Sequence, residues 1–290
     1  MQELSEKCGV FGIYGKNLDV SRLTFFGLFA LQHRGQESSG IAVSDGQEID
    51  CYKNEGLVAR VYDERVIRSL RGHIAIGHNR YSTSGGIGLQ HAQPVVVHNQ
   101  IALAHNGNLP SVIALSDFLR SKNVDTSSCS DSEMMAQAIS WHMGQRLTAI
   151  EAVQAVYHLF TGAFSVVALT KQSLLAFRDQ CGIRPLVIGT LNGAYVIASE
   201  TCALDLIGAK FFREVNPGEL VVIDEQGLRS VQVVPSNPRT DVFEFVYFAR
   251  PDSVINSQLV YQVRSNCGLE LAKEQRIEAD VEGHDPDVAG

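Results

Sequence analysis

An α+β fold, with antiparallel sheets and helices gathered apart from them, is what the order of elements predicts. Three observations carry the expectation. Apolar runs of strand length come first, two amphipathic helical stretches follow, and a second series of short β-rich runs comes after them, which is not βαβ alternation. The second series, from Ala163 to Glu225, is punctuated by turn signals such as Asn192-Gly193 and Pro217-Gly218. With 290 residues, 45% apolar and 19% charged, the chain can bury a sizeable core and is not disordered by composition.

The elements read in order. Cys8 to Gly15 is a strand whose glycines allow close backbone approach. Residues 21–32 place Leu23, Phe26, Ala30 and Leu31 on one helical face, and Ile74–His78 and Ile101–His105 are buried strands ending in polar loops. Ser130-Asp-Ser-Glu133 has the spacing of a capping box, so a helix should run from there through Met143. Thr148 and Glu151 repeat the device ahead of an apolar stripe of Ile150, Val153, Tyr157 and Phe160. Strands are expected at Phe164–Leu169, Leu174–Phe177, Leu186–Thr190, Tyr195–Ala198 and Leu220–Ile223. Pro235–Pro238 reads as a linker, Phe243–Phe248 as a strand, and Val254–Gln275 as a helix with Leu259, Val263, Cys267 and Leu271 spaced by four. The end, Glu282 to Gly290, is polar.

Composition excludes several classes. Acids outnumber bases 32 to 24, a formal charge of −8, the wrong sign for a general nucleic-acid binder. No apolar run approaches the ~18 residues of a membrane span, and the amino terminus lacks a secretory signal's basic start and apolar stretch. The six cysteines, at 8, 51, 129, 181, 202 and 267, contain no Cys-x-x-Cys pair. A zinc site or disulfide scaffold is therefore not expected, and the chain reads as a reduced, cytoplasmic protein.

Cys8 is the leading nucleophile. It follows seven polar residues and directly precedes an apolar strand. Were Met1–Lys7 removed, a thiol (pKa ~8.5) and a free α-amine (~7.7–8.0) would share one residue, matched for proton transfer near neutrality. Three further motifs converge on the same chemistry. Gly77-His-Asn-Arg-Tyr-Ser-Thr83 puts an arginine after a buried strand, where it can grip a carboxylate by two parallel bonds. Ala104-His-Asn-Gly-Asn108 sets an amide beside a glycine N–H, as an oxyanion hole requires. Asp131 opens a helix, where it can hold an ammonium. Singly these read as an ion pair, a turn and a helix cap; together they supply what hydrolysis of an amino-acid side-chain amide needs.

With Leu31-Gln-His-Arg-Gly-Gln-Glu-Ser-Ser-Gly40, Arg178-Asp-Gln-Cys-Gly-Ile-Arg-Pro-Leu186 and Phe248-Ala-Arg-Pro-Asp-Ser253, these motifs resemble the amidophosphoribosyltransferase family, from residue 8 to about 280. The last of them marks the family's phosphoribosyltransferase half. The resemblance implies an amino-terminal-nucleophile hydrolase fold, a four-layer αββα sandwich of two antiparallel sheets. It implies a propeptide at 1–7, a glutamine amidotransferase domain over 8–235, and the start of a phosphoribosyltransferase domain over 242–290. It further implies Cys8 as nucleophile, Asn106 and Gly107 as oxyanion hole, Arg80 on glutamine's α-carboxylate and Asp131 on its α-amine, with Arg34 and Thr83 in matching site loops. His33, His78 and His105 are then structural, since the α-amine serves as base.

The implied function is ammonia release from glutamine, serving the first committed step of purine nucleotide synthesis. The family's acidic loop for phosphoribosyl pyrophosphate and magnesium is absent from these 290 residues, so that substrate and that metal are expected only with a complete transferase half. Val242 stands where cluster-bearing members carry a cysteine, so no iron–sulfur cluster is expected. A partial domain from Val242 to Gln275 would expose a strand edge and an apolar helix face, which favours a homo-oligomer. Alternatives are the glutaminase half of another class-II amidotransferase, which Phe248–Ser253 argues against, and a non-catalytic truncated module, which the full set of site residues argues against.

Overall fold

The computed structural model describes residues 8–81 and 88–274. Its elements run β1 (Gly9–Tyr14), α1 (Val20–Ala30), β2 (Ser38–Ser44), β3 (Ile49–Glu55), α2 (Val58–Val61), α3 (Glu64–Ser69), β4 (Ile74–Arg80), β5 (Val95–Val97) and β6 (Ile101–Asn108). Three helices follow, α4 (Ile113–Ser121), α5 (Asp131–Gly144) and α6 (Ala149–Val156), then β7 (Ala163–Thr170), β8 (Leu174–Arg178), β9 (Val187–Leu191) and β10 (Ala194–Ala198). After α7 (Thr201–Leu206) come β11 (Lys210–Glu214), β12 (Glu219–Asp224), β13 (Gly227–Gln232), a small hairpin β14 (Val254–Ile255) and β15 (Gln258–Leu259), and α8 (Val260–Glu274).

Two antiparallel sheets carry the fold. One has seven strands in the order β11-β9-β10-β1-β4-β2-β3, the other six in the order β13-β12-β8-β7-β6-β5. Strands such as β2 and β4 are buried along their whole length. They are covered on both faces, so their sequences read as continuous apolar runs instead of alternating ones. Between the sheets lie Val10, Ile74, Ile76, Ala104, Val167, Leu174 and Val221. On the outer face of the six-stranded sheet, α4–α6 bury Leu115, Met135, Ile139 and Val153 against Leu103, Val166 and Phe177. On the outer face of the seven-stranded sheet, α1 and α7 bury Leu28, Leu31, Cys202 and Leu204 against Phe11, Ile13 and Val196. The result is αββα layering. Each large apolar side chain sealed this way, Phe11 for example, stabilises the fold by about 1.5–3 kcal/mol.

Helix starts follow the expected chemistry. Thr148 and Glu151 form a complete capping box at α6, each satisfying the other's backbone N–H. At α5 the Ser130 hydroxyl accepts from the Glu133 N–H at 3.2 Å. Pro235–Pro238, read as a linker, lies against the sandwich: Asn237 N–H bonds the Gln180 carbonyl at 2.8 Å and Arg239 N–H the Cys181 carbonyl at 2.9 Å.

Two expectations are corrected in the carboxyl segment. Phe243–Phe248 is not a strand but a wide helical turn, Glu244–Phe248, closed by Ala249 N–H on the Glu244 carbonyl at 2.9 Å. Its inward residues are Glu244, Phe245 and Phe248, a helical spacing that a period of two cannot supply. The helix expected from Val254 starts at Val260. Before it, Asn256 and Ser257 take positive φ (49° and 61°) and turn the β14–β15 hairpin, a conformation no helix continues through. The four-spaced stripe is largely open, in line with the expected exposed apolar helix face: Leu259 is 42% and Leu271 59% exposed, and within α8 only Val260 is buried. The strand edge expected at Phe243–Phe248 is therefore absent, and the strands of this segment are those of the two-stranded β14–β15 hairpin, whose Gln258 and Leu259 are exposed. The expectations for residues 1–7, Thr83 and 275–290 lie outside the described residues.

Candidate active site

Sheet register brings the motif residues to one end of the sandwich. Gly9 pairs with Asn79, so Cys8 and Arg80, one step further along antiparallel neighbours, stand side by side at the ends of β1 and β4. Gly107 pairs with Phe164 near the end of β6. A cavity of about 370 Å3 opens there, lined by Cys8, Arg80, Tyr81, His91, Gln93, His105, Gly107, Asn108 and the 128–132 segment that contains Asp131. That is a small-molecule volume.

At one wall, Cys8 is buried, with Sγ 3.9 Å from the Tyr81 carbonyl. Behind Gly107 the Asn106 carboxamide is fully buried, and neither its nitrogen nor its oxygen has a hydrogen-bond partner among the described residues. Leaving such a group unpaired costs about 1–3 kcal/mol, so it needs an explanation. Gly107 has φ 139°, and a Cβ there would lie 2.0 Å from the Ala163 carbonyl oxygen. Only glycine fits both the conformation and the contact.

Charged groups line the cavity further along. Arg80, buried, pairs with Glu37 through Nη1. Asp131 sits at the start of α5, where its Oδ1 accepts the Ser132 N–H at 2.7 Å and its Oδ2 faces the Leu109 N–H at 3.4 Å. The positive end of the helix favours an anion at this position. His105 Nδ1 lies 3.3 Å from Ser132 Oγ and 3.7 Å from Asp131 Oδ2. Burial lowers its pKa, with Asp131 opposing. Burial also drives His78 down to about 3, and its Nε2 lies 3.2 Å from the His105 carbonyl. Both shifts favour the neutral imidazole near pH 7. Among the described residues no group of three or more His, Cys, Asp or Glu is placed to hold a metal ion.

The structure thus brings Cys8, Arg80, Gly107 and Asp131 together around one cavity, with Asn106 adjoining it. It does not bring Arg34 there. Arg34 is completely buried, bound through Nε to Glu200 and through Nη2 to Glu244 at 2.5 Å. Two carboxylates already occupy its fork, and it does not line the cavity. His33 joins the same cluster at 2.8 Å from Glu200 Oε1. Sequence reading missed Glu37, which pairs with Arg80, and the cavity residues Tyr81, His91, Gln93 and Cys129. A polar His91-Ala-Gln-Pro94 run opening a Val-Val-Val strand was the only local signal for two of these.

Comparison with known proteins finds similarity to glutamine amidotransferases. Residues 78–206 match a glutamine amidotransferase domain family. Amidophosphoribosyltransferases are similar along almost the whole chain: that of Synechocystis is 46% identical over 95% of this chain and 57% of its own length. Those of Bacillus subtilis and Methanocaldococcus jannaschii are 38% and 40% identical over 98% and 97% of this chain, and 60% and 64% of theirs. The solved glutamine phosphoribosylpyrophosphate amidotransferase of B. subtilis, in complex with ADP and GMP, superposes with a TM-score of 0.86 at 37% identity, over 94% of this chain and 60% of that one. The chain spans between about half and two thirds of the length of the curated relatives it matches. Over the part it spans, the chain is similar to the amidophosphoribosyltransferases, and its αββα sandwich superposes on that of the solved ones.

Proposed function

We propose that this chain hydrolyses glutamine to glutamate and ammonia at the cavity beside Cys8. The observation that supports the reading most is the convergence, on one cavity, of a thiol, a cation, a carboxylate and a glycine, with a buried unpartnered amide directly behind the glycine.

In this reading Met1–Lys7 is removed and Cys8 becomes the first residue of the mature chain. Its α-amine takes the thiol proton and Sγ attacks the side-chain carboxamide carbon, Cδ, of glutamine. The negative charge that develops on the side-chain carbonyl oxygen meets Asn106 Nδ2–H and the Gly107 N–H. An acceptor that forms only during reaction would give the Asn106 Nδ2–H the partner it lacks among the described residues. The intermediate collapses, the ammonium form of the α-amine gives its proton to the leaving nitrogen, and ammonia departs. Water then hydrolyses the γ-glutamyl thioester through the same hole. Arg80 holds the α-carboxylate and Asp131 the α-ammonium, so the two charged ends of the amino acid set its position.

The proposed division is a propeptide at 1–7, an amidotransferase domain at 8–235, and the opening of a transferase domain from residue 242. In a protein that includes the rest of the relatives' length, the ammonia would pass to phosphoribosyl pyrophosphate, in the committing step of purine synthesis. Cytoplasmic location and homo-oligomerisation belong to the same proposal. No described helix is long and apolar enough to cross a membrane. A diazoketone analogue of glutamine tests the site: mass spectrometry should find one adduct, on Cys8, with loss of glutamine hydrolysis. Modification elsewhere with hydrolysis intact would refute it.

A further inference from the structure

Gln93 lies on the cavity wall, and nothing above gives it a role. Its position is tightly determined. Lys53 Nζ donates to the Ala92 carbonyl at 2.6 Å and reaches the Pro94 carbonyl at 3.4 Å, fixing the chain on either side. Across the cavity wall, a Cβ at Gly40 would lie 2.1 Å from the Gln93 carbonyl oxygen, so only the bare glycine lets this loop settle onto β2. The side chain is fixed as well. Gln93 Oε1 accepts the backbone N–H of His105 at 2.8 Å. A backbone N–H can only donate, so this bond decides which end of the carboxamide is oxygen. The other end is therefore an NH2 group with two donors. No described residue bonds it, and it is not among the side-chain atoms sealed away without a partner. The half-buried Gln93 thus presents its donors to the cavity it lines.

We propose that Gln93 is a substrate-binding residue whose Nε2–H donates to the α-carboxylate of glutamine, alongside Arg80. The proposal rests on the glutaminase reading. Glutamine offers two acceptor groups. Its side-chain carbonyl must face Asn106 and Gly107 if Cys8 is to reach the carbonyl carbon. That leaves the α-carboxylate, an anion that an arginine and a neutral amide can bind together. The same bond to His105 N–H holds Gln93 against the residue that precedes Asn106, so the two ends of the substrate are measured from one rigid strand end.

Gln93→Glu separates this role from a structural one. Glutamate is nearly isosteric and still accepts from His105 N–H, but it faces the cavity with an acceptor where the donor was. The test uses the chain that begins at Cys8, with glutamine and with glutamine α-amide, which lacks the α-carboxylate. The KM for glutamine should rise about 10- to 100-fold with kcat within about 3-fold, and hydrolysis of the α-amide should change by less than about 3-fold. An unchanged KM for glutamine in Gln93→Glu, beside an active parent, would overturn the proposal alone. A fall in kcat at constant KM would assign the donor to the side-chain carbonyl and overturn it too. A parent that hydrolyses no glutamine would overturn the glutaminase reading and this proposal together.

Discussion

Arg80 and Arg34 are two arginines from motifs of the same kind, each paired with glutamate, and they differ in what surrounds the pair. Arg80 and Glu37 sit at the edge of a cavity, 10% and 15% exposed in their side chains. Arg34, Glu200 and Glu244 are sealed, at 0%, 0% and 2%. Glu200 also accepts the Ser253 hydroxyl at 2.6 Å and the Arg250 N–H at 2.9 Å, and Arg184 approaches Glu244 and Asp241 at 3.3 Å. The sealed cluster therefore joins the sandwich to the carboxyl segment. Burial alone would push the Glu200 carboxyl up, but Arg34 and His33 outweigh it and hold the group below the usual carboxylate range. A guanidinium at a cavity can exchange its partner for a substrate; one with every side closed can only hold structure. Residue type and motif do not separate these cases, whereas access to solvent does.

The difference can be broken from either side. Cys8→Ala should abolish glutamine hydrolysis while leaving the unfolding midpoint in place, since the thiol contributes chemistry and little packing; residual turnover above background would place the nucleophile elsewhere. Arg34→Ala should leave two buried carboxylates without their countercharge and cost about 3–5 kcal/mol in denaturant unfolding. An unchanged midpoint would show the cluster to be hydrated and the contrast with Arg80 unfounded.

Acid should attack the same interior. His78 has a folded pKa of about 3, against ~6.5 unfolded. The unfolded chain binds more protons between those values, so stability falls as pH drops from about 6.5 toward 3. The depressed Glu200 carboxyl acts in the same direction, and its contribution is lost as pH falls through its folded pKa. Unfolding midpoints measured from pH 7 to 4 should decline steadily, by an amount on the order of a few kcal/mol. A flat profile would mean that His78 is charged or hydrated in the fold.

Arg80→Ala should lower kcat/KM for glutamine by about 10- to 100-fold. Arg80→Lys should recover only part of the loss, since an ammonium cannot make the two-pronged contact. The stability cost should be smaller than at Arg34, because Glu37 keeps some contact with water. Thr148→Ala, at a capping box away from both regions, should cost about 1 kcal/mol and leave turnover alone. It sets the scale for a local stability change that does not reach the cavity.

Much of the fold could be read in advance because it depends on local pattern. Strands such as β7 and β8 are continuous apolar runs between turns, and α5 and α6 announce themselves through Ser130 and Thr148. The candidate residues at strand ends were legible for a similar reason: Cys8 sits where an apolar run begins, and Arg80 and Asn106 where one stops. What escaped depends on distant partners. Arg34 is sealed by Glu200 and Glu244, 166 and 210 residues away in sequence, and nothing in Leu31-Gln-His-Arg34 reports that. Glu244 turned a predicted strand into a helical turn for the same reason, since its place opposite Arg34 and Arg184 overrides the local β propensity of Phe243–Phe248. Gln93 shows the limit most simply, because its role rests on one bond to His105 that only the packed sheet creates.

The central claim is that Cys8 works through its own α-amine, and it is tested by comparing two chains that differ only in Met1–Lys7. Ammonia release from glutamine would be measured for the chain that begins at Cys8 and for one in which the preceding segment stays attached, with intact mass confirming each. The account predicts turnover by the first and none above background by the second, because an amide nitrogen cannot take the thiol proton. Equal rates from both would contradict it.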